Sequence, residues 1–377
     1  MPTASPAPFS HWMLREIHEQ PATLAATLAH YVEDGQFHPE TCADIREWFA
    51  AAKGEIVIAA SGSSRHAGLV AELLIEDLSG IAVDVEYASE YCYRSEKSLK
   101  NAAVIVISQS GETADTLAAL RKAQAAGHQT LAVTNVAGSS MAREASVSFP
   151  TLAGVERAIP ATKSFTAQLL VLHLIALLAA ESRRALDAPA IAKYLQQLAG
   201  LADVLDRQMI EWESQVSQLA DQYRSFKNFL FLGRGVHYAI AREGALKLKE
   251  SSYLHAEGYP GGELKHGPNA LVSDGTPLVM VATVDRGDLD ALLRYEKMVQ
   301  LMRDMKAQGA NIVAIANEGD TDVAALANIT ITVPELPESM LPIAEVIPLQ
   351  MLSYFMAINN GIDVDHPRNL TKAVVQE

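Results

Sequence analysis

The sequence predicts an α/β protein built from two doubly wound parallel-sheet domains in tandem, with a helical N-terminal extension and a short C-terminal tail. Three observations carry this. First, IVIAASGSSRHAGLVAELLIEDLSG (56 to 80) and FLFLGRGVHYAIAREGALKLKESSY (229 to 253) share one pattern: an apolar strand, a small Gly or Ser turn, then a helix. Second, the strands that follow match in order: AVIVIS with LVMVAT (278 to 283), AAGHQTLAVTN (125 to 135) with AQGANIVAIAN (307 to 317), and SVSFPTL (146 to 152) with NITITVPEL (328 to 336). Third, each half closes with a long apolar helix, near 162 to 182 and 342 to 360. Strands alternating with helices imply parallel sheets covered on both faces, and the repeat is too long for a solenoid.

Taken along the chain, residues 1–46 read as a helical extension and 47–185 as the first domain. Residues 186–219 read as a charged helical connector, a hairpin in the wider stretch 186 to 226, followed by the second domain over 220–366 and a tail over 367–377. The length of 377 residues gives ample material for two cores. Thirty basic against forty-five acidic residues give a net charge of −15, which argues against nucleic acid or an anionic membrane as the main partner. An anionic substrate must therefore be held by local donors. The two cysteines, Cys42 and Cys92, have no metal-ligand spacing and suggest a reducing compartment. The opening MPTASPAPFSHWM lacks the pattern of a signal peptide, so a cytoplasmic location is expected. LLVLHLIALLAA (169 to 180) is short for a membrane span and is expected to be a buried helix.

Chemistry concentrates first in ISQSGETADTL (107 to 117), where SQSGET links the run AAVIVIS (102 to 108) to the helical pattern ADTLAALRKAQAAG (114 to 127). A helix start leaves backbone N–H groups unpaired and carries partial positive charge, and Ser108, Ser110 and Thr113 add neutral donors. The set suits a phosphate. Taken alone, capping of the helix is the commoner use of such residues. A second donor-rich turn, SGSS (61 to 64), precedes it, whereas the matching turns of the second half, LGRG (232 to 235) and TVDRGD (283 to 288), lack hydroxyl clusters. One half is expected to bind the anion and the other to supply something else.

In AIAREGALKLKE, Glu243, Lys247 and Glu250 fall at i, i+4 and i+7 on one helical face. Spacing alone reads as a solvent-facing ion-pair stripe; chemically, the same set could tune a carboxylate for proton transfer. His266 in GGELKHGP sits among flexible glycines with a side chain suited to proton transfer near neutral pH. The tail HPRNLTKAVVQE has no periodicity, and such tails usually fray.

SQSGET, ATKSFTAQL, GRGVHYAIAREGALKLKE, HAEGYPGGELKHGP and PRNLTKAVVQE, in this order, resemble the isomerase module of glucosamine-6-phosphate synthase, two sugar isomerase (SIS) domains in tandem. The resemblance spans residue 10 or so to the end. It implies that Ser108, Gln109, Ser110 and Thr113, with Ser63 and Ser64, hold the phosphate of a hexose 6-phosphate, with Glu243 also in the substrate site. It assigns the proton-transfer base to Glu250 with Lys247 beside it, ring opening to a His266 donated by a neighbouring subunit, and a Schiff base to Lys372. Arg368 and Asn369 are expected to anchor the tail. A homodimer is implied, and the chemistry calls for no cofactor and no metal.

The synthases begin with a glutaminase domain whose first residue is a nucleophilic cysteine, whereas this sequence starts Met1, Pro2 and has no cysteine before Cys42. The expected function is therefore an aminosugar-phosphate deaminase and isomerase that converts glucosamine 6-phosphate to fructose 6-phosphate and ammonia. The GELKHGP and PRNLTK motifs stand closer to synthases than to such deaminases. The alternatives are the isomerase domain of a synthase, an enzyme for another aminosugar or a glycated amine, and a non-catalytic phosphosugar sensor. No basic DNA-binding segment precedes residue 56, and a sensor has no need of Glu250, His266 and Lys372.

Overall fold

A computed structural model describes residues 5–52, 54–95 and 102–375. The first four residues of the extension and the last two of the tail lie outside the described residues. In chain order the elements are α1 (Trp12–His18), α2 (Gln20–Tyr31), β1 (Val32–Glu33), β2 (Gln36–Phe37), α3 (Ala43–Ala51), β3 (Ile56–Ala60), α4 (Gly62–Ser79), β4 (Val83–Tyr87), α5 (Ala88–Tyr91), β5 (Ala103–Ser108), α6 (Ala114–Ala125), β6 (Thr130–Thr134), α7 (Ser140–Glu144), β7 (Val147–Pro150), α8 (Lys163–Arg183) and α9 (Ala188–Tyr223). The second half continues with β8 (Asn228–Gly233), α10 (Val236–Ser252), β9 (His255–Pro260), two 3-10 turns, β10 (Leu278–Val281), α11 (Leu289–Ala307), β11 (Ile312–Asn317), α12 (Thr321–Ala324), β12 (Ile329–Val333) and α13 (Leu341–Asn359).

Two compact units result. One gathers 19–156, 163–203 and 371–377 around a five-stranded sheet of order β4-β3-β5-β6-β7; the other gathers 1–18, 157–162 and 204–370 around one of order β9-β8-β10-β11-β12. All pairings in both sheets are parallel. The orders are the same once the strands are matched, as the internal repeat requires. β4 and β9 complete them; neither is among the strands read from the repeat.

The central strands β3, β5, β6, β10 and β11 are buried at every residue, as strands covered on both faces by helices must be. In the 19–203 unit, α8 packs on α2, α3 and α4; in the other, α10 packs on α13. α8 and α13 are long and apolar enough to cross a membrane, and 94% and 89% of those stretches are buried. They are core helices here.

Three expectations need amendment. The connector is a single helix of 36 residues, not a hairpin. Leu195, Leu198, Leu201, Leu205, Met209, Trp212, Val216 and Leu219 form an unbroken buried stripe at spacings of three and four, and a mid-helix Gly200 costs only about 1 kcal/mol. The extension is not wholly helical, because β1 and β2 form a small antiparallel hairpin. Its Asp34-Gly35 turn has φ 50 and φ 71, the two positive angles that a tight hairpin turn demands. Finally, the tail is not frayed: the Val374 carbonyl accepts the Ala114 N–H at 2.9 Å.

Candidate active site

In the sheet of the 19–203 unit, β3 is followed by a strand on one side and β5 by strands on the other, so the chain reverses direction between them. The crevice outside such a pair of strand ends is where open α/β sheets hold ligands. The register pairs Ala60 with Ile107, which brings the turns 61–64 and 108–113 together at that point.

Within 108–113 the hydroxyls organise the turn. Ser108 Oγ lies 2.9 Å from Thr113 Oγ1 and 3.5 Å from Ser110 Oγ, and accepts the Gly111 N–H at 3.1 Å. Ser110 Oγ accepts the Glu112 N–H at 3.2 Å. Gly111 has φ 65, and a Cβ there would collide with Ser139 Oγ and come 2.7 Å from Thr134 Oγ1, so only glycine lets the turn pack so close to β6 and α7. Thr113 is the N-cap of α6 yet makes no side-chain cap bond, and Ser61 makes none at α4. Helix capping is thus not the task of the cluster.

The remaining residues of the two turns fall into place around it. Glu112, an acid in a turn suited to anions, turns its carboxylate to the Ser140 N–H at 2.8 Å, where α7 starts. That bond holds its pKa below the ordinary carboxylate value. Ser64 Oγ accepts from Gln168 Nε2 at 3.0 Å, so α8 orients it. Gln109 presents its backbone carbonyl to the Asn135 N–H at 3.2 Å. Among the described residues the side chains of Ser63 and Gln109 have no protein hydrogen bond, which leaves them for a ligand.

The same unit holds Lys372. Its Nζ lies 2.5 Å from Glu156 Oε2, and Glu156 in turn accepts the Ser164 N–H at 3.0 Å and the Ser164 O–H at 2.7 Å at the start of α8. Gln168 and Glu156 were not singled out from the sequence; Gln168 lies inside the quoted ATKSFTAQL motif and Glu156 five residues before it.

In the other unit, α10 carries Glu243, Lys247 and Glu250. Lys247 Nζ is 2.5 Å from Glu250 Oε2 and 3.5 Å from Glu243 Oε1. The stripe does not face solvent: the side chains of Glu243 and Lys247 are 0% and 1% exposed, and only Glu250, at 23%, reaches an open surface. Glu243, expected in the substrate site, can therefore act on a substrate only through Lys247. His266 ends the 3-10 turn Glu263–His266, exposed and with no hydrogen bond among the described residues. The Arg368 guanidinium lies 4.2 Å from the centre of the Tyr253 ring, and the Arg368 backbone N–H donates to Tyr253 Oη at 2.7 Å. Asn369 contributes a left-handed turn, φ 60, and no side-chain bond.

The matching crevice of this unit, beyond β8 and β10, is filled by the protein's own charges. His237 Nδ1 is 2.8 Å from Glu345 and Nε2 is 3.3 Å from Glu338; Thr283 donates to Glu345, and Arg294 Nε donates to Glu338 at 2.9 Å. Burial works to lower the His237 pKa, but the two carboxylates outweigh it and push it up to about 9. Two built-in carboxylates are the reverse of an anion site. At the corresponding place the first crevice presents the hydroxyls of Ser108, Ser110 and Thr113.

A family model for the SIS domain matches residues 49–178 and 222–360. The chain belongs to the SIS-domain family. The two matched stretches each contain one five-stranded sheet with its switch point, so the duplication is one of whole SIS domains. The chain is 40% identical over 370 residues to a glutamine–fructose-6-phosphate aminotransferase (isomerizing) of Caldanaerobacter subterraneus subsp. tengcongensis, covering 98% of this chain and 59% of that protein. It thus spans about 59% of the length of that relative. The solved C-terminal domain of glucosamine-fructose-6-phosphate aminotransferase from Francisella tularensis superposes with TM-score 0.89 at 36% identity, covering 97% of this chain and 100% of that one. A glucosamine-6-phosphate deaminase from Thermotoga maritima superposes at TM-score 0.68 and 21% identity over 96% of this chain and 99% of that one, a likeness of fold alone.

Proposed function

We propose that the chain is a phosphosugar isomerase of the kind found in the isomerase domain of the aminotransferases it resembles, acting on a hexose 6-phosphate such as fructose 6-phosphate. The reading is supported chiefly by the buried Glu243–Lys247–Glu250 array, in which a single carboxylate is left open beside a buried cation. In it, Glu250 takes a C1 proton from the open-chain ketose, exchanges it with solvent and delivers a proton to C2 of the enediol, so the same group serves both carbons. Lys247 stabilises the Glu250 carboxylate before the first transfer and after the second. The phosphate is held by Ser63, Ser64, Ser108, Gln109, Ser110 and Thr113 through neutral donors. Lys372 captures the opened sugar as a Schiff base at its carbonyl, which water hydrolyses to the free ketose before Glu250 acts, and His266 opens the ring from a second subunit of a cytoplasmic homodimer.

The comparisons reorder the two enzyme readings drawn from the sequence. The relatives at about 40% identity are synthases, whereas the deaminase likeness is one of fold, so the isomerase-domain reading moves ahead of the deaminase one. The test is to incubate the protein with fructose 6-phosphate in deuterated water. Glucose 6-phosphate bearing deuterium at C2 is the expected product, and Glu250→Gln should slow its formation by about 100-fold or more while still binding the sugar. Absence of both exchange and product with the wild-type protein refutes the isomerase reading. Ammonia released from glucosamine 6-phosphate at a comparable rate returns the deaminase reading to first place.

A further inference from the structure

We propose that Glu156 is the positioning partner of Lys372: it holds the tail amine in place and takes its proton when the amine attacks the sugar carbonyl. The inference rests on the Schiff-base reading of Lys372 given above and adds to it the group that makes the amine reactive.

Glu156 lies between β7 and α8 with its side chain wholly buried. One carboxylate oxygen accepts the Ser164 N–H, and the other is shared by the Ser164 hydroxyl and the Lys372 ammonium. A buried carboxylate is costly unless paired and hydrogen-bonded, so the site demands the tail's cation to be stable. Burial works to raise the Glu156 pKa, but Lys372 and the two Ser164 donors outweigh it and hold it down, so the group is ionised. The neighbouring charge on α8, Lys163, is engaged by Glu19 at 2.7 Å. The Lys372 side chain is 27% exposed, so it is not wholly enclosed. The Val374 carbonyl on the first N–H of α6 ties the same tail beside the hydroxyl-rich turn. Lysine and phosphate turn are thus held together by one short peptide.

An ammonium has no lone pair to give a carbonyl carbon. At 2.5 Å, Glu156 is within reach of general-base transfer. One N–H proton passes to Glu156, and the freed nitrogen pair forms the N–C bond while the C=O π pair moves to oxygen. A nitrogen proton then transfers to that oxygen to give a neutral carbinolamine. The proton on Glu156 next goes to the hydroxyl, which leaves as water as the nitrogen pair forms the C=N bond. A protonated imine remains and Glu156 is again a carboxylate. No oxidant or reductant enters.

The experiment traps the imine with borohydride in the presence of fructose 6-phosphate, from pH 7 to pH 10, and reads the adduct by intact mass. Wild-type trapping should vary little with pH. Glu156→Gln should slow it about 100-fold at pH 7 and recover towards wild type by pH 10, where solvent itself deprotonates a lysine. Glu156→Asp, which withdraws the carboxylate by one methylene, should show the same pattern at about 10-fold and serves where the glutamine variant does not fold. Trapping unchanged at pH 7 overturns the proposal, as does a deficit that persists undiminished to pH 10, since a purely structural role would not follow amine ionisation. Failure of the underlying reading looks different: wild-type protein is not trapped at any pH, or Lys372→Ala is trapped equally well.

Discussion

At the scale of single residues, the turn 108–113, proposed to hold the substrate phosphate, sets neutral hydroxyls on a net-acidic protein. Ser108 and Ser110 each accept a loop amide, which fixes the oxygen, and Ser108 Oγ also lies within hydrogen-bond distance of Thr113 Oγ1. Each such donor to a phosphate is a charge-assisted hydrogen bond of about 1.5–3 kcal/mol, so Ser110→Ala or Thr113→Ala should raise KM for the sugar phosphate by roughly 10- to 100-fold with little change in kcat. Steady-state kinetics on both variants check this, and an unchanged KM in each removes the turn from phosphate binding. The residue types were legible in the sequence. Their bonding was not, because the choice between capping and ligand depends on which way each Oγ turns, and the contacts to Thr134 and Ser139 that set the turn come from distant positions.

At the scale of elements, α10 and its neighbours show one structural motif put to two uses. The face bearing Lys247 and Glu250 is proposed to be catalytic, while the first turn places His237 between Glu338 and Glu345 at the end of α10 next to β8. The folded pKa of His237, about 9, lies above its unfolded value of about 6.5. The sign follows: this stabilisation is complete below pH 6.5 or so and is lost as pH rises through about 9. It amounts to something on the order of 3 kcal/mol. Thermal unfolding of the wild type should therefore move to lower temperature between pH 7 and pH 9.5. His237→Gln should be less stable at pH 7 and lose most of that slope; a variant whose Tm falls with pH as steeply as the wild type's would show that His237 is not the group responsible. Periodicity revealed α10 itself, since its apolar residues recur at helical spacing. It could not reveal that the charged face is buried, because burial of Glu243 and Lys247 depends on what packs against the helix.

At the scale of the whole molecule, the proposed shared site makes assembly part of catalysis. His266 is exposed and has no hydrogen bond among the described residues, as a residue offered to a partner would be. If each site takes Glu250 from one chain and His266 from the other, inactive His266→Ala and Glu250→Gln chains should complement when mixed. With random pairing about half of the dimers are mixed and one of their two sites is intact, so activity should recover to roughly one quarter of wild type. Activity that stays at the level of the single variants after confirmed subunit exchange places His266 within its own chain or outside the reaction.

What the sequence by itself determined was the periodic and the repeated: two parallel-sheet units, their core helices, the strand-to-helix turns and the motifs that mark the family. These follow from local patterns of apolar and turn residues, which any stretch of chain displays without reference to the rest. β4 and β9 escaped because neither belongs to the strands matched in the repeat: β4 alternates buried and less buried residues over its first four positions, and β9 has no clean period and ends in proline. The single α9 escaped because a charged stretch reads alike as one helix or two. Only the tertiary structure decided which charges are partnered. It closed the second crevice with Glu338 and Glu345, left Glu250 as the open carboxylate of its trio, and brought Lys372 to Glu156 across more than two hundred positions. Electrostatic partnership depends on distance and burial in space, and neither is written in the spacing of residues along a chain.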